Sequence, residues 1–244
     1  MIHQTRGIVL RSVKYGETSI ITTIFTELFG IQSYMVKGAR ASARGRAPRG
    51  NLLQVANMLD MMVYYRENAS LQYISEFRLD YVYQPLSTNL IRNAVSLYIA
   101  ELLLKSLKQP QGHPDLYFLT SQTLKFLDRE NETAANIPLY FTLNLASLLG
   151  FRFNGSCCPQ TPYLDLREGS YMAKPPDHPH FLDADLSARI FQLQLASGPE
   201  QATAISLDRE TRIRLLNACL SFLEWHLPEF TPMKSPRVLH DLLD

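Results

Sequence analysis

The feature that most constrains this chain is a change of hydrophobic period near residue 80. Before it, apolar residues come in short runs broken by turn residues. Ile8, Val9, Leu10 and Val13 lead to the turn Tyr15-Gly16-Glu17, and the Ile- and Thr-rich run Ser19–Thr26 leads to Leu28-Phe29-Gly30. Further runs are Ile31–Val36, Leu52–Tyr65 and Leu71–Leu79, with Glu67-Asn68-Ala69-Ser70 between the last two. β-branched and aromatic residues at this spacing read as five short strands. Five strands in so short a stretch suit a small closed barrel of the OB type, a common platform for nucleic acid.

After Asp80 the period becomes helical. Leu90, Ile91, Ala94, Val95, Tyr98, Ile99, Leu102 and Leu103 follow i, i+3, i+4, i+7 and predict a helix over 89–107. Pro114 opens another ending at Leu127, and Ile137–Leu149 is an apolar helix with Gly150 as its C-cap, expected at the centre of a bundle. Five prolines between Phe151 and Phe181 exclude regular helix and imply a packed irregular loop. Helices follow at Asp185–Leu195 and Leu207–Leu227, the latter placing Ile213, Leu216, Leu220, Leu223 and Trp225 in the core, and the tail 235–243 reads as a last turn of helix. The expected organisation is α+β: an OB barrel over residues 1–80, then a helical domain over 81–244 with a Pro-rich insertion at about 151–181.

Charge picks out one segment. Lys37, Arg40, Arg44, Arg46 and Arg49 lie among Gly, Ala and Ser, and no acid occurs between Glu27 and Asp60. Arginine grips phosphate with a planar fork, and a merely solvated loop usually mixes signs, so this stretch reads as a polyphosphate contact joining the third and fourth strands. Net charge is +1 for the whole chain, but residues 1–80 hold ten Lys/Arg against six Asp/Glu. A phosphate backbone is drawn to that half. Tyr34, Tyr64 and Tyr65, placed in strands beside the loop, are candidates for base stacking, although core packing is the commoner role of such rings.

Catalytic patterns are missing. There is no glycine-rich phosphate loop, no Gly-x-Ser-x-Gly and no His-Glu-x-x-His. The barrel's acids, Glu17, Glu27, Asp60, Glu67, Glu76 and Asp80, form no hydrolase motif. Asp183 and Asp185 flank a helix start and suit capping. The three cysteines, Cys157, Cys158 and Cys219, give no disulfide framework, and adjacent Cys157-Cys158 with His178-Pro179-His180 is a poor match to zinc spacing. Cys219 falls on an apolar helix side. A reducing, cytoplasmic setting is expected, without a signal peptide, and no apolar run reaches the ~20 residues of a membrane span.

Three ordered motifs then carry a resemblance: Gly7 to Ser19 with its Tyr15-Gly16-Glu17-Thr18, Phe25-Thr26 through Gly30, and Val36-Lys37-Gly38-Ala39-Arg40. Together they resemble the bacterial DNA repair and recombination RecO family, more loosely continued at Leu148-Leu149-Gly150-Phe151 and Ser235–Leu239. The resemblance implies an OB barrel followed by helices, and a non-enzymatic recombination mediator. Such proteins bind single- and double-stranded DNA, anneal complementary strands, and with RecR help load RecA onto DNA coated with single-stranded-DNA-binding protein. It places DNA contacts at Lys37 and Arg40. Charge extends the expected site to Arg44, Arg46, Arg49, Arg11 and Lys14. The acidic, apolar-ended tail of single-stranded-DNA-binding protein, a partner the resemblance implies, would need a basic-rimmed apolar groove, for which Arg129, Arg152, Arg209, Arg212 and Arg214 are candidates. Many members carry a four-cysteine zinc site after the apolar helix; only Cys157 and Cys158 stand there, so no cofactor is expected. The alternative is an OB adaptor for RNA or an acidic protein.

Overall fold

The protein is described by a computed structural model covering residues 1–40, 48–67, 69–109, 111–130 and 133–242. Its first five strands are β1 (Ile2–Tyr15), β2 (Ser19–Thr26), β3 (Gly30–Val36), β4 (Met58–Tyr64) and β5 (Gln72–Leu79), closed as β1-β2-β3-β5-β4. This is the five-stranded OB arrangement expected from the sequence. Closure depends on the length of β1. Its first half pairs antiparallel with β4, from Ile2 opposite Tyr64 to Ile8 opposite Met58, and its second half pairs with β2. Gly7 lies where the ladders overlap, and a Cβ there would come 2.5 Å from both Ile24 and Met61. β3 and β5 meet in a short parallel contact at Tyr34–Gln72 and Met35–Tyr73.

Alternation sends Val9, Ile24, Tyr34, Leu59, Met61, Val63 and Phe77 into the barrel. Tyr34 is fully buried, so it is a core ring and not a stacking surface. Tyr65 lies just beyond β4 and stacks on Phe29 at 4.0 Å between centroids. The basic segment does join the third and fourth strands, but residues 52–57 are not strand: a 3-10 turn, Arg49–Leu52, precedes β4.

The β2–β3 turn explains one sequence motif. Thr26 is buried, its Oγ1 donates to Gly30 O (2.9 Å) and accepts from Phe29 N–H (3.0 Å). Gly30 has φ +63°, and a Cβ on it would meet Gln111 O at 2.1 Å. Gly30→Ala therefore combines a left-handed backbone with a collision against main chain, and should cost about 2–4 kcal/mol. Urea unfolding followed by circular dichroism measures this; a midpoint equal to wild type would contradict the packing described.

Helices follow as α1 (Pro85–Thr88), α2 (Leu90–Ser106), α3 (Pro114–Leu127), α4 (Ile137–Leu148), α5 (Ala184–Leu195), α6 (Pro199–Ala204), α7 (Arg209–His226) and α8 (Ser235–Leu242). Two compact units form, one of Met1–Asn89 with Ser96–Asp128, the other of Leu90–Val95 with Arg129–Asp244. They do not follow the division at residue 80. α3 belongs with the barrel, where Tyr117 lies 5.8 Å from Phe25 between ring centroids. Asp128, which ends α3, holds the chain leaving β5: its carboxylate accepts from Tyr81 Oη (3.0 Å), Gln84 N–H (3.0 Å) and Leu86 N–H (2.9 Å).

In the second unit α4 packs against α5, α6 and α7. Ile137, Phe141 and Leu145 are fully buried, and Gly150 follows at φ +91°. Two expectations need correction. The segment 151–181 is not only loop: β6 (Tyr163–Asp165), β7 (Ser170–Met172) and β8 (Phe181–Leu182) form a small sheet in the order β7-β6-β8. The prolines bar helix but all five lie outside these strands. α7 buries Leu215, Leu216, Cys219, Phe222 and Leu223, whereas Ile213 and Leu220 are half-buried and Trp225 is 43% exposed, edge-on to His180 at 4.7 Å. α6 was not foreseen, although Gly198-Pro199 is a fair helix-start signal. Asp183 caps α5 as expected, accepting from Leu186 N–H at 3.0 Å.

Candidate nucleic-acid interface

A concavity of ≈ 420 Å³ opens on the barrel wall between the end of β3, β5 and the end of β4. Its lining includes Lys37, Arg49, Arg66, Tyr64, Tyr73 and Phe77. Local pairing puts each there. Val36 is buried at the end of β3, so Lys37 emerges at the rim. The basic segment is pinned at its base, where Gly50 N–H donates to Ala39 O (2.7 Å) and Ala39 and Leu53 are buried. This fixes Arg49 on the same side. The β4–β5 hairpin is tied by buried Gln72, whose Nε2 donates to Arg66 O (2.7 Å) and Ala69 O (2.9 Å) and whose Oε1 accepts from Arg66 N–H (2.9 Å). Arg66 and Tyr73 are thereby placed beside Tyr64, which faces Tyr73 directly across the ladder.

Cations lie against rings here. Lys37 Nζ is 5.4 Å from the Tyr73 centroid and Arg49 Cζ is 4.6 Å from the Phe77 centroid. Such contacts hold long side chains over the groove in place of free rotation. Further along the wall, Asp60 is matched within the barrel: the Gln4 amide and then the Arg78 guanidinium hold its carboxyl below the usual carboxylate range.

The other named cations are distributed. Arg40 is exposed beside the β1–β2 turn, donating through Nη1 to Gly16 O (3.3 Å) and through its N–H to Thr18 O (2.9 Å). Two of the sequence motifs therefore meet for a structural reason. Arg11 and Lys14 are exposed on β1, opposite Thr23 and Ile20, and their odd spacing sends them to opposite faces of the strand. The structure thus brings Lys37 and Arg49 together, but not Arg11 with Lys14. Arg44 and Arg46 fall outside the described residues. Arg66 and Tyr73 are not marked by the sequence because only the β4–β5 hairpin and the register of β5 bring them to the groove, and alternation within 72–79 is broken where the pairing with β4 shifts between Met62 and Val63.

In the helical unit, Arg209 and Arg212 line an apolar cavity with Pro138, Leu139, Leu216 and Leu239. Arg212 Nε and His240 Nε2, both in that lining, are buried without a hydrogen-bond partner. Arg129 pairs with Glu200, and Arg214 lies 3.8 Å from Asp183. The cysteines do not fit a four-thiolate zinc set. Cys158 Sγ contacts Thr161 Oγ1 at 3.0 Å, a hydrogen bond that lowers its thiol below the ordinary range, while burial pushes Cys219 up to about 12. Among the described residues no three His, Cys, Asp or Glu are grouped to hold a metal ion. No helix among them is long and apolar enough to cross a membrane.

Comparison with known families matches residues 1–83 to "Recombination protein O N terminal" and residues 87–237 to "Recombination protein O C terminal". Among curated proteins, the DNA repair protein RecO of Azobacteroides pseudotrichonymphae is 25% identical over 244 residues, covering all of both chains. That of Bacteroides fragilis strain YCH46 is 27% identical over 245 residues, again covering both completely. That of Chloroherpeton thalassium is 30% identical over 161 residues, 66% of this chain and 61% of the relative.

Proposed function

Since the chain belongs to the recombination protein O family of DNA repair, we propose that it acts as a recombination mediator without catalysis of its own. It binds single- and double-stranded DNA without sequence preference, anneals complementary strands, and helps load RecA with RecR onto DNA coated with single-stranded-DNA-binding protein. The observation that carries this reading is the convergence of Lys37, Arg49 and Arg66 on one groove of the barrel. Phosphate contacts position a strand but carry no sequence information. Cations between two strands offset their mutual repulsion, which is what annealing requires. Full-length relatives named DNA repair protein RecO support the same role.

The acidic, apolar-ended tail of single-stranded-DNA-binding protein is assigned to the surface of the helical unit around Arg209 and Arg212, where Pro138, Leu139 and Leu216 supply apolar neighbours. The reading also includes work in the cytoplasm, at sites of DNA damage.

The test is annealing of complementary strands by the protein in EDTA. Stimulated annealing is expected, with no strand cleavage when magnesium is restored. Cleavage would contradict a non-enzymatic role. RNA or an acidic polypeptide displacing single-stranded DNA at lower concentration than DNA itself would favour an adaptor.

A further inference from the structure

The wall of the barrel carries a row of apolar side chains in direct cross-strand register. Ile21 on β2 faces Met35 on β3, Met35 faces Tyr73 on β5, and Tyr73 faces Tyr64 on β4. With strands about 4.8 Å apart the row runs roughly 14 Å. The two rings are large and exposed, Tyr64 at 44% and Tyr73 at 38%. Alternation points them away from the core, since their neighbours Val63 and Gln72 are buried. Apolar rows on an outer wall mark contact surfaces.

The surroundings decide what touches this one. Lys37, Arg49 and Arg66 border the rings within the same concavity, and Lys37 Nζ sits over the Tyr73 face. A π-face beside a cation suits a partner that has a flat ring next to an anion, and each nucleotide of an unpaired strand offers both. Duplex DNA offers only the anion, because its bases are stacked on one another. The rings therefore add nothing to duplex binding and a good deal to single-strand binding.

We propose that Tyr64 and Tyr73 are base-stacking positions that make this groove selective for single-stranded DNA over duplex. The proposal rests on the reading of the groove as a nucleic-acid site. It also supplies a step toward annealing: a base held by its face on a tyrosine, with its phosphate on Lys37 or Arg49, keeps its pairing edge turned to an incoming strand.

The experiment compares the full chain with Y64A/Y73A, Y64F/Y73F and K37A/R49A, using fluorescence anisotropy on an oligothymidylate and on a duplex of equal length, across a salt series. Y64A/Y73A should lose about tenfold or more in oligothymidylate affinity, hold duplex affinity within about twofold, and keep the wild-type salt slope. Y64F/Y73F should bind as wild type, because stacking uses the ring and not the hydroxyl. Unchanged oligothymidylate binding by Y64A/Y73A would overturn the proposal. Equal losses for both ligands would overturn it too. In either case a shallower salt slope in K37A/R49A leaves the phosphate reading standing. No effect of K37A/R49A on either ligand removes that reading, and the stacking proposal with it.

Discussion

Replacing Lys37, Arg40, Arg44, Arg46 and Arg49 together by alanine is expected to flatten the salt dependence of single-strand binding by roughly 3.5 units of log K per log salt. Each cation on a single-strand phosphate releases counterions worth about 0.7 of that slope, and five are removed. Lys37, Arg40 and Arg49 are exposed, and the barrel core lies beneath Val36, Ala39 and Leu53, none of which is touched. Circular dichroism and the unfolding midpoint should therefore stay close to wild type. The inclusion of Arg44 and Arg46 rests on the sequence, where the acid-free run places them. Affinity measured from low to moderate salt checks the slope. A variant with the wild-type slope would mean that the strand path lies elsewhere.

Asp128→Ala should be the most damaging single change to the barrel unit. The side chain is 7% exposed as a residue and accepts three hydrogen bonds, two from main-chain N–H groups of residues 84 and 86. Removing it leaves the buried Leu86 N–H and two part-buried donors without their acceptor, a cost of about 3 kcal/mol. Asp128→Asn is a sharper probe. Its single oxygen can still accept from Gln84 and Leu86, the two bonds made now by Oδ1, and its amide can donate to the Tyr81 hydroxyl. About 1 kcal/mol is expected for that exchange. Urea midpoints of the two variants measure the difference. Equal, small effects would show that the carboxylate does not tether the chain leaving β5.

The barrel was legible in the sequence because its strands alternate and its turns carry glycine. Ser19–Thr26 and Ile31–Val36 were bounded almost to the residue, since Gly16 and Gly30 mark their ends. The start of β1 was not, because Ile2–Arg6 is polar on its outer side and gains its order only from pairing with β4. Residues 52–57 continue the apolar run of β4 in sequence and so read as strand, but Leu52 and Leu53 pack on the barrel core from a 3-10 turn and the loop after it. Past residue 80 the long apolar periods locate α2, α4 and α7. Periodicity alone could not orient Trp225, which sits three residues after Phe222 yet faces His180 at the surface.

The candidate groove was half legible. Composition pointed to Lys37 and Arg49 because positive charge without acid is visible in one dimension. Arg66 and Tyr73 are far from that run in sequence and arrive only through the β3–β5 and β4–β5 registers. Tyr34 illustrates the converse: its place in a strand beside the basic loop suggests a stacking ring, but strand parity turns it into the core with Val36. The motifs at Gly16, Gly30 and Arg40 owe part of their pattern to turn geometry, which is why a family motif alone did not separate DNA contacts from structural ones.

The most direct test of the account is the rate at which complementary single strands anneal with wild-type protein and with the five-alanine variant at equal concentration and low salt. The variant should stay folded and fall to the protein-free rate. A folded variant that anneals as fast as wild type would contradict it.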